Sequence, residues 1–228
     1  MYIVVLLILV IVIFFGPRMW AKYIMKYYSS EIDSFPGTGG ELARHLLKKF
    51  DLSDIKLEKS EYQENHYDPE TKTICLAENI HDGKSMTAIV VSAHEIGHVI
   101  QHYYRYRPFF LRLYLAGFIA HTEKIASILL IIFPFIAILT RIPALGILMF
   151  ITGIGSLLIP VIFHLLTLPV EWDASFRRAL PILIAGKYIP GSAIPAAKRI
   201  LRAAALTYVT ASLASVFNFY RWIAILRR

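Results

Sequence analysis

The sequence predicts a mainly α integral membrane protein with about four transmembrane helices and a small α+β lobe. Three observations predict this fold class: the composition, a set of long apolar runs, and one polar segment with helix and strand patterns. Of the 228 residues, 57% are hydrophobic, and the mean hydropathy is +0.56, which is above the range of soluble domains. We therefore expect apolar spans, with the lobe between the first and the second of them.

The first apolar run, Tyr2 to Phe15, is unbroken, and we expect a membrane anchor over residues 1–20. The run is shorter than the ~20 residues that a straight span needs, so it must borrow flanking residues such as Met19 and Trp20. It has neither the basic start nor the small-residue cleavage site of a secretory signal. A retained anchor is therefore the better interpretation.

Residues 21–124 have the pattern of a small cytoplasmic lobe. Leucines at helical spacing predict a helix over Gly39 to Phe50, and Ile55 to Tyr62 alternates as a strand does. After the turn at Asp68 to Thr71, the β-branched residues of Lys72 to Ala77 predict a second strand. Two interpretations of that strand stay open: the edge of a substrate cleft, or an ordinary edge strand of a small sheet.

The remaining apolar runs follow the lobe. Ile125 to Leu139 and Ile142 to Leu168 predict a transmembrane hairpin over residues 125–168. A weaker run predicts a C-terminal transmembrane helix over residues 206–228. We expect the segment between them, residues 169–205, to lie on the cytoplasmic side.

The distribution of cations sets the expected orientation. The formal net charge is +8, and the surplus lies in residues 125–228, which hold ten basic and two acidic side chains. Three cations directly follow the first span and six lie between the third and the fourth, namely Arg18, Lys22, Lys26, and Arg177, Arg178, Lys187, Lys198, Arg199 and Arg202. The opposite side would carry only Arg141, Arg221, Arg227 and Arg228. We therefore expect a multi-pass protein of the cell (inner) membrane with a cytoplasmic lobe. A basic surplus beside spans favours a lipid bilayer, anionic lipid in particular, as the partner, and no nucleic acid.

The segment Val91 to Gln101 has the spacing of a metal site. His94 and His98 lie four residues apart, so on a helix both imidazoles can bind one divalent metal, with Glu95 beside them. This HExxH pattern is typical of metalloproteases, in which zinc and a carboxylate together activate water. The alternative is a polar helix face whose histidines only contact solvent. Gly97 favours the metal site, because a glycine costs a helix about 1 kcal/mol and suits close packing beside the ligands.

A third ligand is needed, since a hydrolytic zinc site usually takes three protein ligands and leaves one position for water. The only acids after residue 124 are Glu171 and Asp173. We expect Glu171 to be the ligand, because the predicted hairpin returns it to the membrane face that holds the histidines. Asp173 is the other candidate ligand, or it accepts a hydrogen bond from the outer ring nitrogen of a ligand histidine. Both acids also suit the start of a helix after Pro169.

With these residues in place, the chain resembles the membrane-bound neutral zinc metallopeptidases of bacteria, the zinc peptidase 2 group, which is similar to the gluzincin membrane proteases. The likeness covers nearly the whole chain and rests on Gly39 to Ala43, His66 to Pro69, Ser92 to His98 with Gln101, Leu168 to Glu171, and Ala203 to Val209. It implies a zincin-like catalytic lobe that binds Zn²⁺ through His94, His98 and Glu171, with Glu95 as the catalytic carboxylate.

One departure from the family pattern leaves roles open. In the better-known gluzincin membrane proteases an aspartate follows the ligand glutamate by four positions, and here that position is Ser175. Which residue supports the ligand histidines, and whether Arg177 or Arg178 faces the developing oxyanion, therefore stays open. His66 is a candidate substrate contact.

The sequence thus predicts a membrane-bound zinc metalloendopeptidase that acts on a peptide or protein substrate, with Glu95 as general base and acid. An intramembrane-cleaving protease is one alternative, but it would bury a segment bracketed by Lys84 and Arg105 in lipid. A non-catalytic scaffold or chaperone on a protease-like fold is another, and the intact site residues argue against it. A transporter with His164 in its pathway would be expected to show internal repeats, and we find none.

Overall fold

The computed structural model describes residues 2–62, 64–140 and 142–216, which form α-helices around a small three-stranded sheet. In chain order the elements are α1 (Tyr2–Tyr27), α2 (Gly39–Lys49), β1 (Lys56–Lys59), β2 (His66–Asp68), β3 (Thr73–Leu76), α3 (Glu78–His81), α4 (Met86–Tyr103), α5 (Arg107–Thr140), α6 (Pro143–Trp172), a π-helix (Asp173–Ala179), α7 (Leu180–Ala185), a 3₁₀ turn (Gly191–Ala193) and α8 (Ile194–Val216).

Helix α2 begins where the sequence predicted, at a capping box. The Thr38 hydroxyl accepts a hydrogen bond from the Glu41 backbone (3.2 Å), and the Glu41 carboxylate accepts one from the Thr38 backbone (2.8 Å). Gly39 then allows α2 to lie close to α4, because a β-carbon on Gly39 would come within 2.6 Å of the Ser92 hydroxyl. The predicted helix over Gly39 to Phe50 is confirmed to within one residue.

The sheet has the order β1-β3-β2, with β1 parallel and β2 antiparallel to β3. The prediction that Lys72 to Ala77 forms an edge strand is wrong, since β3 is the central strand. The edge strands are β1 and β2, and β2 packs against α4. The sequence analysis missed β2 because three residues are too few to show the period-2 alternation of a strand.

Helix α4 lies in the core of the lobe. It begins at Ser85, whose hydroxyl accepts a hydrogen bond from the Ala88 backbone (3.1 Å). Every residue from Met86 to Gln101 is buried, so the polar face of this helix does not point to solvent. Helices α2 and α8 and the π-helix all pack against it.

Helices α5 and α6 pack against each other, and together they contain the predicted hairpin over residues 125–168. The π-helix that follows α6 packs against α4, so the hairpin returns Glu171 to the histidines. The packing of the π-helix against α4 thus brings the candidate ligands together.

The predicted fold class, a mainly α integral membrane protein with about four transmembrane helices, is wrong in its membrane-spanning part. Among the helices that the structure describes, none has both the length and the apolar character needed to cross a bilayer. Tyr2 to Phe15 and Ile125 to Leu139 fall short of the ~20 apolar residues of a span, and the longer third run includes Pro160 and His164. None of the described helices therefore supports the predicted multi-pass arrangement. Part of the predicted C-terminal helix, residues 217–228, lies outside the described residues.

Candidate metal centre

Two imidazoles face each other on α4. The rings of His94 and His98 lie 4.7 Å apart between centroids, at an interplanar angle of 81°. Their Nε2 atoms are 3.2 Å apart. Both side chains are only 8% exposed. The spacing of four residues thus places two nitrogen donors at one buried point, as a shared metal requires.

Glu171, on the last turn of α6, completes the set. Its Oε2 lies 3.3 Å from the Nε2 of His94 and 3.3 Å from that of His98, and its side chain is fully buried. Four-coordinate zinc with ligands at about 2.0–2.1 Å separates neighbouring donor atoms by about 3.3 Å. The three donor atoms, the members of a possible metal-binding group, therefore have the spacing that suits zinc.

The carboxylate oxygen itself indicates a cation. Glu171 Oε2 is buried and has no hydrogen-bond partner of good geometry among the described residues. Buried polar atoms normally find a partner, and a lone pair that faces two imidazole nitrogens is satisfied by a bound cation. Burial alone would oppose ionisation, but His98 and His94 outweigh it and hold the pKa of Glu171 well below its usual range. Glu171 is thus favoured as the carboxylate, the form that binds a metal.

Glu95 is buried beside the three donors, next in the chain to His94. Burial raises the pKa of Glu95 to about 7, with the charge of His94 acting against the shift and that of Glu171 adding to it. The backbone of Tyr67 on β2 forms a hydrogen bond with this carboxylate. The edge strand that the sequence analysis missed therefore positions the candidate catalytic group.

The outer ring nitrogens of both histidines have partners. His98 Nδ1 lies 2.9 Å from Gln101 Oε1, to which it can donate, and His94 Nδ1 lies 3.1 Å from the Ser175 hydroxyl. A hydrogen bond at Nδ1 fixes the orientation of the ring and leaves the Nε2 lone pair directed at the metal position. Ser175, the residue at which the chain departs from the gluzincin pattern, therefore occupies the supporting position itself.

In the part of the chain that the structure describes, Asp173 forms no hydrogen bond with either histidine. Its Oδ2 instead accepts from Gln101 Nε2 (2.9 Å) and from Arg178 Nε (2.7 Å). Gln101 Nε2 also donates to the backbone carbonyl of Val170 (2.8 Å). Asp173 thus acts on His98 through Gln101, and Arg178 is engaged with Asp173. Arg177, the other predicted oxyanion candidate, is exposed.

Arg112 is the functional residue that the sequence analysis missed. Its Nη1 donates to Glu171 Oε1 at 2.6 Å, and its side chain is 24% exposed. This contact orients the carboxylate so that the other oxygen faces the histidines. The sequence feature that could have indicated Arg112 is a cation just before a long apolar run. Such cations are common at the ends of apolar helices, so this feature does not identify a functional residue.

The comparison with known proteins agrees with this geometry. A family model described as "Putative neutral zinc metallopeptidase" matches residues 2–227. The chain belongs to this family. It is also similar to the "Putative membrane protease YugP" of Bacillus subtilis (strain 168), with 34% identity over 215 residues that cover 92% of each chain. No solved structure matches the chain. The predicted resemblance to neutral zinc metallopeptidases is confirmed.

In this family member, Gly97 is the point where the π-helix meets α4. A β-carbon on Gly97 would lie 2.6 Å from the Ala174 carbonyl oxygen, which is backbone and cannot move aside easily. The prediction that something packs close to Gly97 is confirmed. The wider turn of the π-helix then buries both Asp173 and Ser175 against α4, in keeping with the frequent occurrence of such turns at functional sites.

The other histidines of the lobe do not join the three donors. His66 lies on β2 with its side chain exposed, one residue from Tyr67. His81 pairs with Asp82 at 2.6 Å, and His102 shares a hydrogen bond of 2.8 Å with the Tyr67 hydroxyl. In the part of the chain that the structure describes, the candidate metal donors are therefore two histidines and one glutamate.

Proposed function

We propose that the protein is a zinc-dependent endopeptidase that hydrolyses peptide bonds in a peptide or protein substrate. The observation that supports this most directly is the triangle of buried donor atoms from His94, His98 and Glu171, with edges of 3.2 and 3.3 Å. Zinc held there would supply a Lewis acid for a water molecule and for the carbonyl of the scissile bond. The family description is in keeping with this activity.

Glu95 moves the proton in this proposal. It accepts a proton from the water that attacks the carbonyl carbon and then donates it to the leaving amine, so that one carboxylate serves both halves of the reaction. The hydrogen bond from the Tyr67 backbone orients the carboxylate, and its burial excludes competing solvent. Gln101, Ser175 and Arg112 hold the three metal ligands in place through the contacts described above.

Removal of the metal tests this proposal. We expect the purified full-length protein to cleave an unstructured protein such as casein, to lose this activity after dialysis against a chelator, and to regain it on addition of one equivalent of zinc. A His98→Ala variant purified in parallel controls for contaminating proteases, because it should remain inactive after zinc is added. Undiminished cleavage by protein that elemental analysis shows to be free of metal would contradict the proposal.

We further propose that the protein works at a membrane surface that contains anionic lipid. The relative from Bacillus subtilis is called a membrane protease. Residues 174–228 contain no acidic side chain. Within residues 174–216, the part of this segment that the structure describes, the exposed cations are Arg177, Lys187, Lys198, Arg199 and Arg202. A basic surface of this kind attracts anionic headgroups within about 10 Å at 0.1 M salt.

Vesicle binding tests the lipid proposal. We expect the protein to associate more strongly with vesicles that contain phosphatidylglycerol than with vesicles of phosphatidylcholine alone, and the difference to shrink as salt is raised. Replacing Lys198, Arg199 and Arg202 together by glutamine should reduce the difference, whereas the same change at Arg44, Lys48 and Lys49 on α2 serves as the matched control. Equal binding to both vesicle types would contradict an anionic partner.

A further inference from the structure

A cleft of about 680 Å³ opens at the C-terminal end of α4, outside the metal centre. Its walls come from this end of α4, from the start of α5, and from the sheet on the side of Tyr67 and Lys72. Its volume lies within the range of roughly 300–1,000 Å³ that is usual for ligand-binding pockets. None of the three candidate metal ligands lines this cleft, so metal binding does not explain it.

The cleft is next to the metal centre along α4. His102, which lines it, lies one helical turn beyond His98 on the same face, about 6 Å along the helix axis. Tyr67 connects the two places, because its backbone binds Glu95 while its hydroxyl binds His102 at 2.8 Å. An extended peptide advances about 3.3 Å per residue. A substrate residue about two positions from the scissile bond would therefore reach the cleft.

The charges in the cleft leave a positive excess. Lys72 is neutralised by Asp54, with their charged atoms 2.7 Å apart. Arg105 and Arg107 also line the cleft, both side chains are exposed, and neither forms an ion pair within the part of the chain that the structure describes. Burial lowers the pKa of His102, so this imidazole adds little positive charge at neutral pH. The two guanidinium groups are therefore available to a negatively charged partner, and guanidinium matches carboxylate in geometry.

Arg105 lines the wall of the cleft just after the end of α4. Arg105 has a φ of 50°, in the left-handed region that favours glycine, where α4 ends. Its N–H donates to the His102 carbonyl (3.1 Å), and the Tyr106 N–H donates to the Gln101 carbonyl (2.9 Å), which is the usual way a helix ends at a glycine.

We infer that this cleft is a substrate subsite in which Arg105 and Arg107 bind a carboxylate about two residues from the scissile bond. The carboxylate belongs either to an acidic side chain of the substrate or to its C-terminus. This inference rests on the proposed peptidase function, because it assigns the substrate class of that same site.

A peptide series tests the subsite with the zinc-loaded full-length protein. In one arm, the peptides are neutral and blocked at both ends. Each carries a single Glu, or Gln in the matched peptide, at a different position around the cleaved bond. In the other arm, neutral peptides of decreasing length carry either a free or an amidated C-terminus. We expect kcat/KM for the carboxylate form to exceed that for its neutral match about fivefold at one position, two residues from the cleaved bond, and to equal it elsewhere. The arm in which the preference is found identifies the source of the carboxylate.

Variants assign the preference to the two arginines. Arg105→Gln combined with Arg107→Gln should lower the ratio to about one, and Arg105→Glu combined with Arg107→Glu should invert it in favour of a Lys-containing peptide. Arg44→Gln, the same change on the exposed surface of α2, should leave the ratio as it is. Because the readout is a ratio of two substrates, a general loss of folded protein does not imitate it.

The outcomes separate the subsite from the peptidase activity. Cleavage of neutral and acidic peptides at equal rates in both arms would overturn the subsite and leave the peptidase proposal intact. A carboxylate preference that survives in the Gln and Glu double variants would also overturn the assignment to Arg105 and Arg107. Failure to cleave any peptide or protein would overturn the peptidase proposal and the subsite with it.

Discussion

Replacing Glu95 by glutamine is expected to abolish peptide hydrolysis while the protein still binds zinc. The amide has nearly the shape of the carboxylate but cannot accept a proton from water or pass it to the leaving amine. Loss of a positioned general base and acid lowers rates by typically 10²–10⁴-fold. The three donor atoms belong to other residues, so metal content should not change. The measurements are kcat/KM on a peptide substrate and zinc content by elemental analysis.

Glu70→Gln is a matched control for this variant. Glu70 is exposed in the turn between β2 and β3, so the same chemical change there should leave both activity and metal content as in the unmodified protein. A Glu95→Gln protein that retains its hydrolytic rate would rule out the proposed role of Glu95. A variant that loses zinc together with activity would instead show that Glu95 supports the metal site.

Replacing Glu171 by alanine is expected to cause the second large effect, the loss of zinc and of activity together. The change removes the negatively charged donor and leaves the Arg112 guanidinium beside the two imidazoles, so the site would hold an uncompensated positive charge. Loss of a residue that only supports a ligand reduces metal affinity by about 10–100-fold, and loss of the ligand should exceed that range. Titration of zinc against a competing chelator measures the change.

Asp173→Asn is the comparison for the Glu171 variant. Asp173 reaches the site only through Gln101, so its replacement should weaken zinc binding within the 10–100-fold range of supporting residues. Circular dichroism and thermal unfolding of both variants distinguish loss of metal from loss of fold. Zinc binding by a folded Glu171→Ala protein with unchanged affinity would contradict the ligand assignment.

The parts of the site that the sequence analysis anticipated depend on local spacing. His94, Glu95 and His98 share one helix, and their mutual arrangement follows from the period of that helix. The start of α2 was predictable for the same reason, because Thr38 and Glu41 are three residues apart. Glu171 was anticipated by elimination, since only two acids follow residue 124.

The supporting contacts of Ser175 and Arg112 were not predictable, because each joins residues that are far apart in the chain, unlike the contact of Gln101 with His98 on the same helix. Ser175 meets His94 from 81 positions away, and Arg112 meets Glu171 from 59. No local pattern indicates which of many polar side chains will come together after packing. The π-helix after Trp172 was missed as well, since the local sequence reads as ordinary helix and only the fit against Gly97 shows why a wider turn is needed.

The prediction of transmembrane helices was wrong for a related reason. Hydrophobic runs report that a segment is apolar, but neither the length nor the surroundings of the folded helix can be read from composition alone. The same limit explains the error in the sheet, where β3 has β-branched residues whether it is central or at an edge. Burial on both sides is a property of the neighbours that pack on a strand.

The sequence by itself determined which side chains of α4 are candidate metal donors, because donor type and helical spacing are local and α4 needs no other segment to place two imidazoles on one face. Only the tertiary structure decided which residues hold these donors in place and what lies beside them. Packing of the π-helix onto α4 places Ser175 beside His94 and brings Glu171, at the end of α6, to the histidines, and packing of β2 onto α4 places Tyr67. These contacts form because burial of apolar surface brings distant segments together, and the energy of that burial is shared by the whole core.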